Sequence, residues 1–327
     1  MTDDTLDRRG FVGGSLAALA AAALTRGGGA RTATADQATA PAPGRVHPVR
    51  LGAPIFEKTD DPEQLARAHR AVGYRAAYCP RVELKDTDRI RAISEAYARN
   101  DVVIAEVGRW CNLLDADPAK RKANIERVTE GLALADALGA LCCVNIAGSF
   151  NTEVWYGPHP DNVTDRFFDA AVENARTIID AVKPKRAKFC YEMMGWMLPD
   201  SPDSALQLLK AVDRSAYAIH LDPCNLVNSP RRFYSYTDLL DECFDKLGPW
   251  IVSCHAKDLV WEVDYSVHFR EVTCGDGGLD YATYLRRLAR LGHDAPLMVE
   301  HCDGPEEYAR ARKHLQKLAS EVGVDFG

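Results

Sequence analysis

Ala187-Lys188-Phe189-Cys190-Tyr191-Glu192-Met193 reads as a short buried strand with an acid near its end, and the residues after it repeat the pattern. Ser201-Pro202-Asp203 opens an amphipathic helix over Ser204–Val212. Ala216-Tyr217-Ala218-Ile219-His220-Leu221-Asp222 is then a second apolar strand, again closed by an acid. Short apolar runs rich in Val, Ile, Cys or Tyr suit strands buried on both faces of a parallel sheet. Ser followed by Pro supplies a helix cap and a first turn with preset φ. Working outward from this strand–helix–strand unit, similar runs precede it at Val49–Phe56, Tyr74–Pro80, Val102–Val107 and Ala140–Ala147. Two more, Trp250–Ala256 and Pro296–His301, follow it. Between them Asp60-Asp61-Pro62 starts a helix over Glu63–Val72, Asp117-Pro118 one over Ala119–Leu138, and Asp280 one over Tyr281–Leu291, with Gly139 and Gly292 as stops. Eight strands alternating with helices in roughly 250 residues predict an α/β fold, a single-domain (β/α)8 barrel over 49–327. A doubly wound open sheet would carry a Gly-rich turn after its first strand, and Leu51-Gly52-Ala53-Pro54 is no such turn.

The chain has 327 residues, 46% hydrophobic and 27% charged, an ordinary balance for a globular protein. Its formal charge of -7 disfavours a surface built to hold nucleic acid. At the N-terminus, Arg8-Arg9 precede an uncharged apolar run, Phe11 to Leu24, shorter than the ~20 residues that span a bilayer. Ala33-Thr34-Ala35 supplies a small-x-small cleavage site, so 1–35 reads as a signal peptide resembling the twin-arginine type. That predicts an exported, periplasmic or extracellular protein with no membrane span once the signal is removed. Residues 36–48, with three prolines, read as a flexible leader. The ten cysteines form no C-x-x-C pair, and Cys142, Cys143, Cys190 and Cys254 lie in apolar runs, so mostly buried thiols are expected rather than a disulfide framework.

Active sites of such barrels gather at the C-terminal ends of the strands. Glu192, Asp222, His255 and Glu300 end the fifth to eighth runs, so four ligand-type side chains arrive at equivalent heights on four successive strands. Three carboxylates crowded into one barrel mouth repel one another unless a cation sits among them. With one imidazole added, the set suits a single divalent ion: Mn, Mg, Co or Zn.

These words, with Tyr191-Glu192, His220-Leu221-Asp222-Pro223-Cys224-Asn225, His255-Ala256-Lys257-Asp258, Gly275-Asp276-Gly277-Gly278-Leu279-Asp280-Tyr281, Val299-Glu300 and Ala105-Glu106-Val107-Gly108, resemble the sugar phosphate isomerase/epimerase group of the xylose-isomerase-like TIM barrel superfamily. The resemblance implies that Glu192 and Glu300 bind the metal and also exchange a proton with the carbon beside a sugar carbonyl. One would act as base and the other as acid, through an enediolate that the metal stabilises. Two departures stand out. Asn225 occupies the place where epimerases of the group often carry a His, and Met193-Met194-Gly195-Trp196-Met197 follows the first ligand where they carry a Glu. The pocket implied is not that of a free-ketose epimerase.

Around the quartet, His220 is expected one layer deeper as a partner of the site rather than a fifth ligand. Lys257 either faces the cavity, where it would serve an oxyanion or carboxylate, or is solvated. Asn225, Glu106 and the tryptophans Trp110, Trp155, Trp196 and Trp261, each just after a strand end, are expected to contact substrate, since indole faces stack on sugar rings. Trp250 is expected to start a strand, and Leu259–Gly278 to be a long loop. An acidic Cys302-Asp303-Gly304-Pro305 after the last strand disfavours a phosphate there. The expected activity is a metal-dependent isomerase or epimerase on an unphosphorylated sugar or keto-sugar. A lyase acting on keto-glycosides by β-elimination and a non-catalytic sugar-binding barrel are the alternatives. The superfamily's DNA-repair endonucleases would need extra His ligands on early strands, which Tyr78-Cys79-Pro80 and Glu106 do not supply. The sequence leaves room for a homo-oligomer.

Overall fold

The computed structural model describes residues 46–327; the expected signal at 1–35 and most of the leader lie outside the described residues. Eight strands close a parallel barrel: β1 (Leu51–Gly52), β2 (Ala76–Tyr78), β3 (Val103–Gly108), β4 (Cys142–Asn145), β5 (Lys188–Glu192), β6 (Tyr217–Leu221), β7 (Ile251–Ala256) and, after a hairpin, β10 (Leu297–Val299), which returns to pair with β1. Helices α1 (Pro62–Ala71), α2 (Thr87–Arg99), α3 (Pro118–Leu138), α4 (Asp165–Val182), α5 (Pro202–Val212), α6 (Pro230–Tyr234), α7 (Tyr236–Leu247), α8 (Tyr281–Leu288) and α9 (Gly304–Val322) fill the connections. This is the (β/α)8 barrel expected, in one compact unit. The helix starts arise as the sequence predicts: Asp61, Asp117 and Ser201 accept hydrogen bonds from first-turn N–H groups with Pro immediately after. Gly139 closes α3 in the left-handed conformation, φ 74°.

Three expectations change. The first strand shrinks to Leu51–Gly52, and Trp250 ends a 3-10 turn (Gly248–Trp250) instead of starting β7. The expected loop Leu259–Gly278 is mostly an antiparallel hairpin, β8 (Asp258–Glu262) with β9 (His268–Val272), rising from the end of β7. Its aromatic residues pack on α6: Phe269 stacks on Phe233 at 5.2 Å and Trp261 on Tyr234 at 5.5 Å.

Most of the apolar core lies between barrel and helices. The lumen is lined by small groups, Ala76 and Ala105 with Met298, and Cys142 and Cys190 with Ala218. All ten cysteines are free thiols, eight of them buried.

Two register shifts decide what else points inward. Strands β2 and β3 pair Ala77 with Ile104 but Tyr78 with Glu106, leaving Ala105 as an extra residue. Strands β6 and β7 pair Ile219 with Ile251 but His220 with Ser253, leaving Val252 extra. A bulge reverses the alternation beyond it. With Ile251 in the outer core, strict alternation would turn Ser253 and His255 outward. The bulge instead puts Cys254 and Ala256 in the outer core and Ser253, His255 and Lys257 in the lumen. Ala105 does the same for Glu106.

Candidate metal centre

Glu192 ends β5, Asp222 follows β6, His255 lies in β7 and Glu300 follows β10, its N–H still bonded to the Ala256 carbonyl at 3.2 Å. The structure brings the whole quartet together. His255 Nδ1 lies 3.0 Å from Glu300 Oε1, 3.1 Å from Glu192 Oε1 and 3.5 Å from Asp222 Oδ2. One atom from each residue falls within 4.8 Å of all the others. Separations of this size are those of atoms sharing one ion at about 2.1 Å. Asp222 Oδ2 and Glu300 Oε1 are moreover buried, and among the described residues no donor meets either with normal hydrogen-bond direction. What faces them is positive charge rather than aligned N–H groups, and both converge on one point. The residues present therefore fit a divalent cation.

Lys257 is not solvated. Its side chain is 3% exposed, and Nζ flanks the same two oxygens, 2.6 Å from Glu300 Oε1 and 2.9 Å from Asp222 Oδ2. It stands farther, 3.8 Å, from Glu192 Oε1, so the ammonium sits on one edge of the cage rather than at its centre.

Beneath the cage lies a closed polar layer. Glu106 Oε1 accepts from Ser253 Oγ at 2.5 Å and His220 Nε2 at 2.9 Å, and Oε2 faces His255 Nε2 at 3.2 Å. The His220 and His255 rings meet edge to face, with centroids 4.2 Å apart. Glu106, expected among the substrate contacts, is 1% exposed with both oxygens committed to protein donors. Its place is below the cage because the Ala105 bulge turned it inward.

The charges hold one another. Burial, the largest influence, pushes the Glu106 carboxyl up, but His220 and His255 outweigh it and keep it well below the usual range. Burial likewise raises Glu300, and His255 and Lys257 bring it down to about 2. His255 and Lys257 move the other way: burial disfavours their charge, and the surrounding carboxylates raise both well above their ordinary values.

Asn225 also serves the cage. Its Nδ2 donates to Glu192 Oε1 and to the Met193 carbonyl, both at 3.1 Å, and its N–H to Asp222 Oδ1 at 3.2 Å. The amide orients Glu192 in this arrangement. Of the tryptophans, Trp110, Trp155 and Trp196 are exposed in connections that follow β3, β4 and β5, and Trp261 is half-buried in the hairpin. Trp196 Nε1 donates to the Tyr156 carbonyl at 2.7 Å, which fixes its indole plane. Among the described residues every exposed Trp, Tyr or Phe except Trp250 lies in a connection that follows a barrel strand, hence on the face where the cage opens.

Sequence reasoning missed Ser253, Tyr78 and His301. Tyr78 meets the His255 ring at a tilt of 59°, centroids 6.4 Å apart, and burial pushes its phenol far up. His301, at φ 56°, places Nε2 3.7 Å from Glu300 Oε2 and Nδ1 2.8 Å from Glu271 Oε1 of β9. A His directly after a ligand was the one visible signal.

The model of the xylose isomerase-like TIM barrel family matches residues 65–318, and the chain belongs to that family. No curated protein matches it in sequence. A xylose isomerase-like TIM barrel protein from Mycobacterium smegmatis in complex with magnesium is 17% identical over 84% of this chain and 97% of its own, with a TM-score of 0.58. The 3-keto-D-glucoside 4-epimerase of E. coli is 12% identical over 83% and 99%, TM-score 0.57. Endonuclease IV from Thermus thermophilus is 17% identical over 83% and 99%, TM-score 0.60. At such identities the shared feature is the barrel, and the chemistry has to come from the site.

Proposed function

We propose that the chain is an exported, divalent-metal-dependent sugar isomerase or epimerase that moves a proton on the carbon beside a carbonyl. The observation that carries this reading is the division of labour within Glu192 and Glu300. Each commits Oε1 to the cage, and among the described residues neither Oε2 makes a hydrogen bond. Two carboxylates held at one cage with a free oxygen apiece can work as base and acid toward the same carbon. A divalent ion held by Glu192, Asp222, His255 and Glu300 would polarise the carbonyl oxygen and lower the barrier to losing the neighbouring proton. Lys257 adds a fixed positive charge at the edge of the cage, which would favour negative charge developing on a substrate oxygen beside it. The exposed aromatic residues around the mouth offer stacking faces to sugar C–H groups.

A sugar or keto-sugar substrate agrees with the keto-glucoside epimerase among the structural neighbours, and an exported enzyme would meet unphosphorylated sugars. The breadth of the aromatic rim favours a second reading within the same chemistry. On a keto-glycoside, the carbanion formed by the same proton abstraction could expel the glycosidic oxygen, a lyase reaction.

Metal content together with proton exchange tests the proposal. Purified protein is analysed for bound metal and followed by NMR in D₂O with free ketoses, 3-keto-sugars and keto-glycosides. About one ion per chain, with deuterium entering beside the carbonyl and none entering in Glu300→Gln, is expected. A protein that binds sugars without metal and without exchange would be a binding barrel instead.

A further inference from the structure

We infer that Glu106 is the positioning residue of the metal centre: it determines which nitrogen of His255 faces the cage without a proton. The inference rests on the reading of the cage as a metal site and goes below it, to a layer that touches neither ion nor substrate.

A carboxylate only accepts. Glu106 meets three groups, Ser253 Oγ, His220 Nε2 and His255 Nε2, so all three must donate. His220 agrees from its far side. Among the described residues its buried Nδ1 has no partner, which is tolerable for a bare lone pair but not for a stranded N–H. With the Nε2 proton held on Glu106, the proton His255 would give up to an ion is the one on Nδ1, which faces Glu192, Asp222 and Glu300 at 3.1, 3.5 and 3.0 Å. A nitrogen lone pair set among three carboxylates suits a cation between them and repels its neighbours otherwise. Carboxylate, imidazole and ion then form a line in which the carboxylate fixes tautomer and ring plane. Both bulges serve that line. Ala105 turns Glu106 inward, Val252 turns Ser253 and His255 inward, and the three side chains meet only because both shifts are present.

The exchange that isolates this role is Glu106→Gln, equal in shape but able to donate. The amide cannot accept from three donors, so an imidazole must reverse. Calorimetric titration with Zn²⁺ alone should show affinity falling about 10- to 100-fold. Ser253→Ala, which leaves both imidazole links intact, should keep wild-type affinity. Packing alone as the role of Glu106 would lower the metal-free melting temperature of Glu106→Gln while sparing its Zn²⁺ affinity, and that result overturns the inference. Should the variant fail to fold, ¹⁵N-histidine spectra of the Zn²⁺-loaded wild type decide: a proton on His255 Nε2 with Nδ1 bound to metal is expected, and the reverse tautomer overturns it. A wild type that takes up no Zn²⁺ overturns the metal reading itself, and this inference with it.

Discussion

Lys257 Nζ lies 2.6 Å from Oε1 of Glu300, the oxygen that also faces His255 Nδ1. A buried ammonium therefore neutralises part of the cage before any ion enters. Removing one partner of a buried ion pair typically costs about 3–5 kcal/mol. Lys257→Met should lower the melting temperature in chelator and show a larger rise on adding Mn²⁺ than the wild type does. Equal rises in the two proteins would mean that the ammonium and the ion do not share the same oxygens.

Stability of the metal-free protein should depend on pH at both ends. His255 has its folded value raised by Glu300 and Glu106 against burial. Its contribution is complete below the unfolded value near 6.5 and is lost as pH rises through the folded one. Glu300, held at about 2, contributes fully above the unfolded carboxyl value and loses that contribution as pH falls toward about 2. Because the ligand form of His255 is neutral, metal uptake should release protons and tighten with rising pH. Melting curves in chelator across pH, paired with titrations in buffers of different ionisation enthalpy, test both signs.

Trp155→Ala and Trp196→Ala should raise KM for keto-glycosides and leave kcat nearly unchanged, since neither indole belongs to the cage. At about 0.5–1.5 kcal/mol per aromatic contact the change is roughly two- to twelvefold. A matching loss for free ketoses would show that the rim reads the reacting sugar rather than what is attached to it.

Asp258 is buried and accepts from the backbone N–H groups of Leu259, Gly275, Gly277 and Leu279, tying the hairpin to the start of α8. Burial pushes its carboxyl up in spite of those donors. Asp258→Ala should destabilise by on the order of 3 kcal/mol, because the buried N–H groups of Leu259 and Leu279 and the partly buried ones of Gly275 and Gly277 lose their acceptor. Gly277→Ala should also destabilise, since a Cβ there would run into the Asp258 carboxylate. Denaturant unfolding of both variants gives the magnitudes.

The strands were legible because each pairs an apolar run with a turn or cap, and the ligand quartet because its members end successive runs. Cys190 and Glu192, or His220 and Asp222, obey simple alternation, which places them in the lumen together. Glu106 and Ser253 do not. An extra Ala or Val in an apolar run leaves composition and pattern unchanged, so only the pairing with the neighbouring strand reveals it. The hairpin was hidden for a related reason: its stabilising contacts come from Phe233 and Tyr234, distant in sequence. Trp250 lies just outside β7 because it ends a 3-10 turn, whereas in sequence an aromatic residue before Ile-Val resembles the start of a strand.

The Val252 bulge makes the chemistry of β7 depend on how the strand pairs and not only on what it carries. Without the Val252 codon, Ile251 and Ser253 would be neighbours, and regular pairing with β6 would still turn Ser253, His255 and Lys257 into the lumen. With the codon present, a strand that paired straight through without bulging would send those three side chains to the outer layer and Cys254 and Ala256 to the lumen. No ligand would be mutated, yet the site would lose its imidazole and its ammonium together. Among descendants of this barrel, the register between the sixth and seventh strands is therefore as informative about retained chemistry as the identity of any residue on them.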